Sequence, residues 1–306
     1  MKILTSPSSF GQVGNEPMEL LESNGFEVIN NPYGRKLTED EVISLADGCA
    51  GIVAGVEPLT ARVMDALPAL KCISRVGIGM DNVDLEYAKQ KGIIVINTPD
   101  APTRGVAELT LAMTLALLRK IPQADAALKN RKWEKQIGNL IQGKVVGVIG
   151  LGRIGKLVSQ LFRGIGNTVI GYDPYPNSEW GRQNGVELTD FETLLKTADI
   201  ITLHVPGNAD KTPVIGSKEL ELVKTGSFLI NISRGGVVDE DALYQALKLN
   251  KLAGAAVDVF NDEPYTGPLC DLKNIILTPH LGSYAHEGKL LMEIEAVNNL
   301  INSIKN

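Results

Sequence analysis

Residues 144–173, KVVGVIGLGRIGKLVSQLFRGIGNTVIGYD, contain the pattern that decides the fold. A short apolar run at 144–149 leads into GLGRIG at 150–155. An amphipathic stretch to residue 165 follows, and then a second apolar run at 168–173. This order predicts a strand, a glycine turn, a helix and a second strand, which together make one βαβ unit of a parallel sheet.

The three glycines of this turn have separate physical reasons. Gly150 allows the tight turn, Gly152 lets the backbone approach a pyrophosphate, and Gly155 lets helix and strand pack closely. Asp173 ends the second strand, where its carboxylate can accept hydrogen bonds from ribose hydroxyls and repel a 2′-phosphate. We therefore predict a dinucleotide site that takes NAD rather than NADP. The alternative interpretations are a purely structural glycine turn and a turn-forming aspartate.

Short apolar runs alternate with helical patterns along almost the whole chain, which predicts an α/β protein. We expect two doubly wound parallel-sheet domains: a Rossmann NAD-binding domain and a smaller, flavodoxin-like substrate domain. The motif positions assign residues 1–99 with 286–306 to the substrate domain and residues 100–285 to the NAD-binding domain. The stretch 103–120 reads as one long apolar helix, which is typical of a buried element or a subunit contact. It suggests a homodimer.

The composition excludes several classes of protein. The 306-residue chain has a net charge of −6 and a pI near 5.3, which argues against a nucleic-acid partner. The three cysteines are isolated, so their spacing fits neither a disulfide framework nor a zinc site, and we expect no metal. The N-terminus lacks the apolar core of a signal peptide, and no apolar run approaches the ~20 residues that span a membrane. We expect a cytoplasmic protein with no membrane partner.

Three downstream segments each follow a strand-like run: NISRGG at 231–236, DVFNDEP at 258–264 and TPHLG at 278–282. Ligands bind at the carboxyl ends of parallel strands. Arg234 suits a substrate carboxylate because its planar fork binds such a group through two hydrogen bonds. His280 suits proton transfer near neutral pH, and Glu263 could stabilise its imidazolium. Taken singly, they could instead be a surface arginine, a strand-end histidine and a solvated turn.

Together with the glycine turn, these motifs resemble the D-isomer-specific 2-hydroxyacid dehydrogenase family over nearly the whole chain. The resemblance extends to RVGIGMDNVD at 75–84 and NTP at 97–99. It implies that Arg234 binds the substrate carboxylate and carbonyl, that His280 is the general acid/base and that Glu263 pairs with His280. Besides the three glycines and Asp173, the candidate cofactor contacts are Arg153, Ile154, His204, Val205, Pro206, Ser233, Asp258 and Gly282. Asp258 is expected to contact the nicotinamide carboxamide.

Within the family, the segments at 75–84 and 97–103 are most similar to members that oxidise 3-phospho-D-glycerate to 3-phosphohydroxypyruvate, the entry to serine synthesis. The resemblance implies that Arg75 meets the substrate phosphate and that backbone groups of Ile78 and Gly79 hold the carboxylate. Arg35 and Lys36 could add charge, or could simply be solvated. The sequence ends after its last helical pattern, so we expect a short form without a regulatory domain.

Two alternatives remain open. One is a glyoxylate or hydroxypyruvate reductase, or another D-2-hydroxyacid dehydrogenase. The other belongs to a different class, an NAD(H)-sensing binding protein similar to the corepressors of this family.

Overall fold

The computed structural model describes residues 1–208, 210 and 212–305, and the chain divides into two compact units. Unit 1 comprises Met1–Pro102 and Ser283–Asn306, and unit 2 comprises Thr103–Gly282. Both junctions lie three residues from the positions expected from the sequence. They fall in turns, one directly before a long helix and the other just before the C-terminal helix.

Unit 1 contains a five-stranded parallel sheet in the order β2-β1-β3-β4-β5. Its strands are β1 (Lys2–Thr5), β2 (Glu27–Asn30), β3 (Cys49–Ala54), β4 (Cys72–Arg75) and β5 (Ile94–Asn97). Its helices are α1 (Glu16–Ser23), α2 (Glu39–Leu45), α3 (Ala61–Ala66), α4 (Leu85–Lys91) and, from the C-terminal part of the chain, α12 (His286–Lys305). This strand order is that of flavodoxin-like sheets.

Strand β3 shows why this sheet forms. All six of its residues are buried, as expected for a central parallel strand covered on both faces. Separate apolar clusters lie on the two faces of the sheet. Helix α12 covers one face, where the Ser74 hydroxyl donates to the Ala296 carbonyl at 2.7 Å. The C-terminal helix therefore completes the core of the N-terminal unit.

Unit 2 contains a seven-stranded parallel sheet in the order β12-β11-β10-β9-β6-β7-β8. Its strands are β6 (Val145–Ile149), β7 (Thr168–Tyr172), β8 (Glu187–Leu188), β9 (Ile200–Leu203), β10 (Ser227–Asn231), β11 (Leu252–Val257) and β12 (Ile275–Leu277). The strand order reverses between β6 and β9, which is the topological switch point of a Rossmann fold. The predicted class, α/β with two parallel sheets, is confirmed.

The helices of unit 2 include several that the sequence patterns did not single out. In chain order they are α5 (Thr103–Leu118), α6 (Ile121–Lys129), α7 (Arg153–Gly164), α8 (Ser178–Asn184), α9 (Phe191–Thr197), α10 (Ser217–Leu222) and α11 (Glu240–Lys248), with a short 3₁₀ helix at Pro268–Asp271. Helices α6, α8 and α10 are short or weakly apolar, so their periodicity is faint.

Helix α5 uses its apolar side chains within unit 2. Met113, Leu117 and Leu118 are buried in the same cluster as Val146 of β6 and Phe162 of α7. The interpretation of α5 as a buried helix is therefore correct. Its apolar composition, however, is explained by this core and says little about a subunit contact.

Membrane spans and metal clusters are both absent from the described part of the chain. None of the described helices is long and apolar enough to cross a membrane. Across these same residues, no group of three or more histidine, cysteine or acidic side chains is placed to hold a metal ion.

Candidate active site

The glycine turn between β6 and α7 is shaped by close backbone contacts. Gly150 has φ +90°, and a Cβ there would lie 2.5 Å from the His204 carbonyl oxygen. A Cβ on Gly155 would lie 1.8 Å from the Gly150 carbonyl oxygen. A Cβ on Gly152 would meet no atom within 4 Å. Two glycines are thus needed for packing, while the third faces open space at the start of α7.

That open space fits a pyrophosphate. Helix α7 begins after Gly152 with no side-chain cap, so its first N–H groups can serve an anion. Exposed Arg153 and partly buried Ile154 form the first turn of the helix. Residues of this turn would therefore hold the phosphates of NAD through backbone N–H groups.

Asp173 lies directly after β7 and fixes the neighbouring end of the turn. Its Oδ2 accepts from the Leu151 N–H at 2.8 Å, and its Oδ1 accepts from the Tyr175 N–H at 2.9 Å. An ionised carboxylate has about four lone-pair sites, so two N–H donors leave room for ribose hydroxyls. The geometry fits both a loop-fixing role and the predicted ribose contact.

His204, Val205 and Pro206 follow β9 on the other side of the switch point. The His204 Nε2 lies 2.9 Å from the Thr202 hydroxyl, and its buried Nδ1 has no hydrogen-bond partner in the described parts of the chain. Burial lowers the pKa of His204 to about 3, so its ring is neutral at physiological pH. Val205 is partly buried, and Pro206 after it is exposed.

His280 and Glu263 form a direct pair in unit 2. The His280 Nδ1 lies 2.9 Å from Glu263 Oε2 and 3.2 Å from Oε1. Glu263 Oε1 also accepts from the Phe260 N–H at 3.1 Å. Burial raises the pKa of Glu263, but the hydrogen bond and charge of His280, the Phe260 N–H and the charge of Arg234 outweigh it and hold that pKa below its ordinary value. The side chains of His280 and Glu263 are 48% and 39% exposed, so the pair is open to small molecules.

Arg234 reaches this pair because two loops pack tightly. A Cβ on Gly235 would lie 2.0 Å from the Phe260 carbonyl oxygen, so glycine permits the loop after β10 to contact the loop after β11. The Arg234 Nη1 donates to the Ser233 carbonyl at 2.7 Å. The positive charge of Arg234 also lowers the pKa of Glu263. The structure therefore brings Arg234, Glu263 and His280 together at adjacent strand ends of one sheet.

Asp258 follows β11 and contacts the loop that carries His280. Its side chain is fully buried. Its Oδ1 accepts from the Thr278 hydroxyl at 2.5 Å and the Leu281 N–H at 2.7 Å, and its Oδ2 accepts from the Gly282 N–H at 2.8 Å. These donors all flank His280, which has φ +56°. The carboxylate thus fixes the loop that carries His280, and its contact with the nicotinamide carboxamide stays a prediction.

Ser233 is turned inward in a similar way. Its hydroxyl and its N–H both donate to the Asn231 side-chain oxygen, at 2.7 and 3.1 Å. Only 8% of this residue is exposed. Its side chain therefore supports the loop that carries Arg234, and its place along the cofactor stays a prediction.

Unit 1 holds the other candidate substrate residues at the carboxyl ends of its strands. Arg75 is the last residue of β4. The Asn97 side chain stabilises the loop after β4 by donating to the Ile78 carbonyl at 2.8 Å. Gly79 follows in this loop and is partly buried. Arg35 instead pairs with Glu41 through two hydrogen bonds of 2.9 and 2.6 Å on the surface. Lys36 is exposed.

Sequence reasoning missed three residues that shape these loops: Gly235, Thr278 and Glu57. Thr278 and Gly235 lie inside motifs that were noticed for their charged neighbours. Glu57 follows β3, the strand beside β4, so it could have been found by the same strand-end rule that selected Arg75. It is 1% exposed, and the charge of Arg75 acts on it.

Comparisons with known proteins agree with this geometry. The profile of the family described as D-isomer specific 2-hydroxyacid dehydrogenase, NAD binding domain, matches residues 111–282. A D-3-phosphoglycerate dehydrogenase from Archaeoglobus fulgidus is 37% identical over 310 residues, covering 100% of this chain and 58% of that protein. A glyoxylate reductase from Thermococcus litoralis is 37% identical over 301 residues, covering 92% of this chain and 90% of the relative.

A solved structure extends the likeness to the whole fold. The TT0316 protein from Thermus thermophilus has a TM-score of 0.91 and 31% identity, covering 100% of this chain and 97% of that one. The chain spans about half the length of the phosphoglycerate dehydrogenases that it matches. With the profile match over most of unit 2, these similarities show that the chain belongs to the D-isomer-specific 2-hydroxyacid dehydrogenase family and that its cofactor is NAD.

Proposed function

We propose that this chain is an NAD-dependent dehydrogenase acting at C2 of a D-2-hydroxy acid. The observation that carries the proposal is the His280–Glu263 pair at 2.9 Å, with the charge of Arg234 beside it. Such a set supplies both a proton carrier and a cation for a carboxylate. It lies at the carboxyl ends of β10, β11 and β12, in the sheet that carries the glycine turn.

The roles of these three side chains follow from their contacts. Glu263 occupies Nδ1 of His280, which leaves Nε2 to take the proton of the C2 hydroxyl. Arg234 binds the substrate carboxylate and polarises the oxygen at C2. NAD⁺ held at the glycine turn would supply the hydride acceptor, so that oxidation would yield a 2-oxo acid, NADH and one proton. In reduction, protonated His280 returns its proton to the new hydroxyl, and Glu263 stabilises that protonated ring.

We propose 3-phospho-D-glycerate as the substrate, with 3-phosphohydroxypyruvate as its product, in serine biosynthesis. Support comes from the sequence around Arg75 and from relatives named D-3-phosphoglycerate dehydrogenase. Arg75 would bind the phosphate, with Ile78 and Gly79 at the carboxylate. A second candidate is reduction of an unphosphorylated acid such as glyoxylate or hydroxypyruvate. The buried carboxylate of Glu57 near Arg75 favours it, because a negative charge there opposes a phosphate.

The first experiment measures initial rates by NADH absorbance with 3-phosphohydroxypyruvate, hydroxypyruvate, glyoxylate and pyruvate. Preference for the phosphorylated acid supports the first candidate, and preference for an unphosphorylated acid supports the second. No turnover of any of the four, with NADH still bound, would contradict the dehydrogenase proposal and favour a cofactor-sensing role.

The proton-transfer role has a matched control within the chain. His280→Ala should lower kcat by roughly 10²–10⁴-fold while NADH binding persists. His286 is exposed at the start of α12, so His286→Ala should leave the rate unchanged. Equal rates in both variants would exclude His280 as the acid/base.

We also propose that the chain forms a homodimer, through the segment that follows α5. Trp133, Ile137 and Leu140 are 81%, 91% and 69% exposed, and Leu128 at the end of α6 is 58% exposed. Such neighbouring apolar side chains are typical of a covered surface. Ile137→Glu should convert a dimer to a monomer in sedimentation velocity. A monomeric wild type would overturn the proposal.

A further inference from the structure

Glu57 is a buried carboxylate that the proposed reaction does not use. It follows β3 in the loop Gly55-Val56-Glu57-Pro58 and is 1% exposed. Both of its carboxylate oxygens accept from the Gly55 N–H, at 3.0 and 3.1 Å. The Ser6 hydroxyl, which follows β1, donates to Oε1. Burying a carboxylate is costly, so its presence at this strand edge calls for an explanation.

Its surroundings keep it beside Arg75. Strands β3 and β4 are paired with Ala54 opposite Arg75, and the Val76 N–H donates to the Ala54 carbonyl at 2.8 Å. The Asn82 side chain donates to the Glu57 carbonyl at 2.6 Å, which fixes the loop from the other side. Glu57 and Arg75 are therefore held at neighbouring strand ends, where each acts on the charge of the other.

The hydrogen bonds to the Glu57 side chain are of the kind that a charged carboxylate accepts. Burial holds the pKa of this carboxyl above its ordinary value, and the Ser6 hydroxyl, the Gly55 N–H and the charge of Arg75 only partly offset that rise. These groups around the carboxylate are two hydrogen-bond donors and a cation, which is the environment of a charged acceptor. An ionised Glu57 makes the net charge of the pair about zero, whereas Arg75 alone would present one positive charge.

We infer that Glu57 is a specificity-determining residue, which acts through Arg75 to set how strongly the site accepts a phosphorylated rather than an unphosphorylated 2-oxo acid. The inference rests on the proposed dehydrogenase function and on Arg75 as a substrate residue. A phosphate near neutral pH carries nearly two negative charges and is repelled by Glu57 as well as attracted by Arg75. A hydroxyl at the same carbon carries no charge, so its binding depends little on Glu57.

The test compares kcat/KM for 3-phosphohydroxypyruvate and for hydroxypyruvate near pH 8 in wild type and Glu57→Gln. Glutamine keeps an acceptor for Gly55 and Ser6 but removes the charge. The ratio of the two kcat/KM values should rise about tenfold, mainly through a lower KM for the phosphorylated acid. Glu86→Gln, which removes an exposed charge from α4 in the same unit, should leave the ratio within about twofold.

A second variant covers a folding failure. Thermal unfolding and NADH binding show whether Glu57→Gln is folded. The second variant, Glu57→Thr, has a smaller neutral side chain whose hydroxyl can still accept from the Gly55 N–H. An unchanged or lowered ratio in a folded neutral variant would overturn the inference and leave Glu57 a structural residue. Wild type that turns over none of the four acids of the first experiment would instead overturn the proposed function. The two failures are therefore distinguishable.

Discussion

Replacing Glu263 with glutamine should change the pH dependence of the reduction rate. The His280 Nδ1 lies 2.9 Å from Glu263 Oε2, and the pKa of Glu263 is below its ordinary value, so the carboxylate is charged throughout a neutral assay range. Two unit charges about 4 Å apart attract by about 1 kcal/mol in water and about 4 kcal/mol at an effective dielectric constant of about 20. Both side chains are more than one-third exposed, so solvent screening favours a value of about 1–2 kcal/mol.

This energy sets the direction and size of the effect. Glu263 stabilises the protonated ring, and reduction needs that protonated ring as its acid. Without the carboxylate this stabilisation is lost, so the midpoint of the reduction rate against pH should fall by about one pH unit. At a pH above both midpoints the variant should be slower by about 5–30-fold, while at low pH the two rates should converge.

The assay is NADH oxidation at saturating acid from about pH 5 to 9, with NADH binding measured separately. Asp262→Asn is the matched control, because it removes an exposed carboxylate in the same loop, one residue from Glu263. Its midpoint should stay with that of wild type. An identical midpoint in Glu263→Gln, or an equal shift in Asp262→Asn, would refute the argument that a direct charge pair sustains the acid.

Two further predictions separate packing from binding. Gly155→Ala places a Cβ 1.8 Å from the Gly150 carbonyl oxygen and should lower the free energy of unfolding by about 1–3 kcal/mol or more. The Cβ of Gly152→Ala meets no atom, so this variant should bind NADH more weakly with an unchanged melting temperature. Equal melting temperatures for the two variants would contradict this prediction. Asp258→Asn leaves only one acceptor atom, so its NH₂ group faces the N–H of either Leu281 or Gly282, at a cost of about 1–3 kcal/mol. The kcat of this variant should fall more than its NADH affinity; loss of NADH affinity alone would instead support a direct cofactor contact.

The sequence was sufficient for the glycine turn because its constraints are local. The backbone at Gly150 has a positive φ, and the contact at Gly155 leaves no room for a Cβ. The identity and spacing of the glycines in the sequence are enough to predict both requirements. The strands on either side follow from short apolar runs that are buried on both faces. Fold class and the position of this turn therefore followed from the residues themselves.

The apolar stretch at 103–120 shows where composition becomes ambiguous. An apolar helix fits a core and a subunit contact equally well. The packing of Val146 and Phe162 against α5 shows that this helix belongs to the core. The exposed apolar side chains lie farther on, around Trp133 and Ile137, in a segment without regular structure. No helical or strand period marks such a segment, so nothing in its pattern selects it.

Asp258 and Glu57 show the limit of strand-end reasoning. Both follow a parallel strand, which places them at the ligand-binding edge of a sheet. Whether such a carboxylate faces a ligand or its own loop depends on which N–H groups the neighbouring loop presents. The His280 loop presents two N–H groups to Asp258, and the turn at Gly55 presents one to Glu57. Those donors are backbone atoms common to every residue except proline, so residue identity cannot reveal them, and the function of each carboxylate has to be argued from the folded loop.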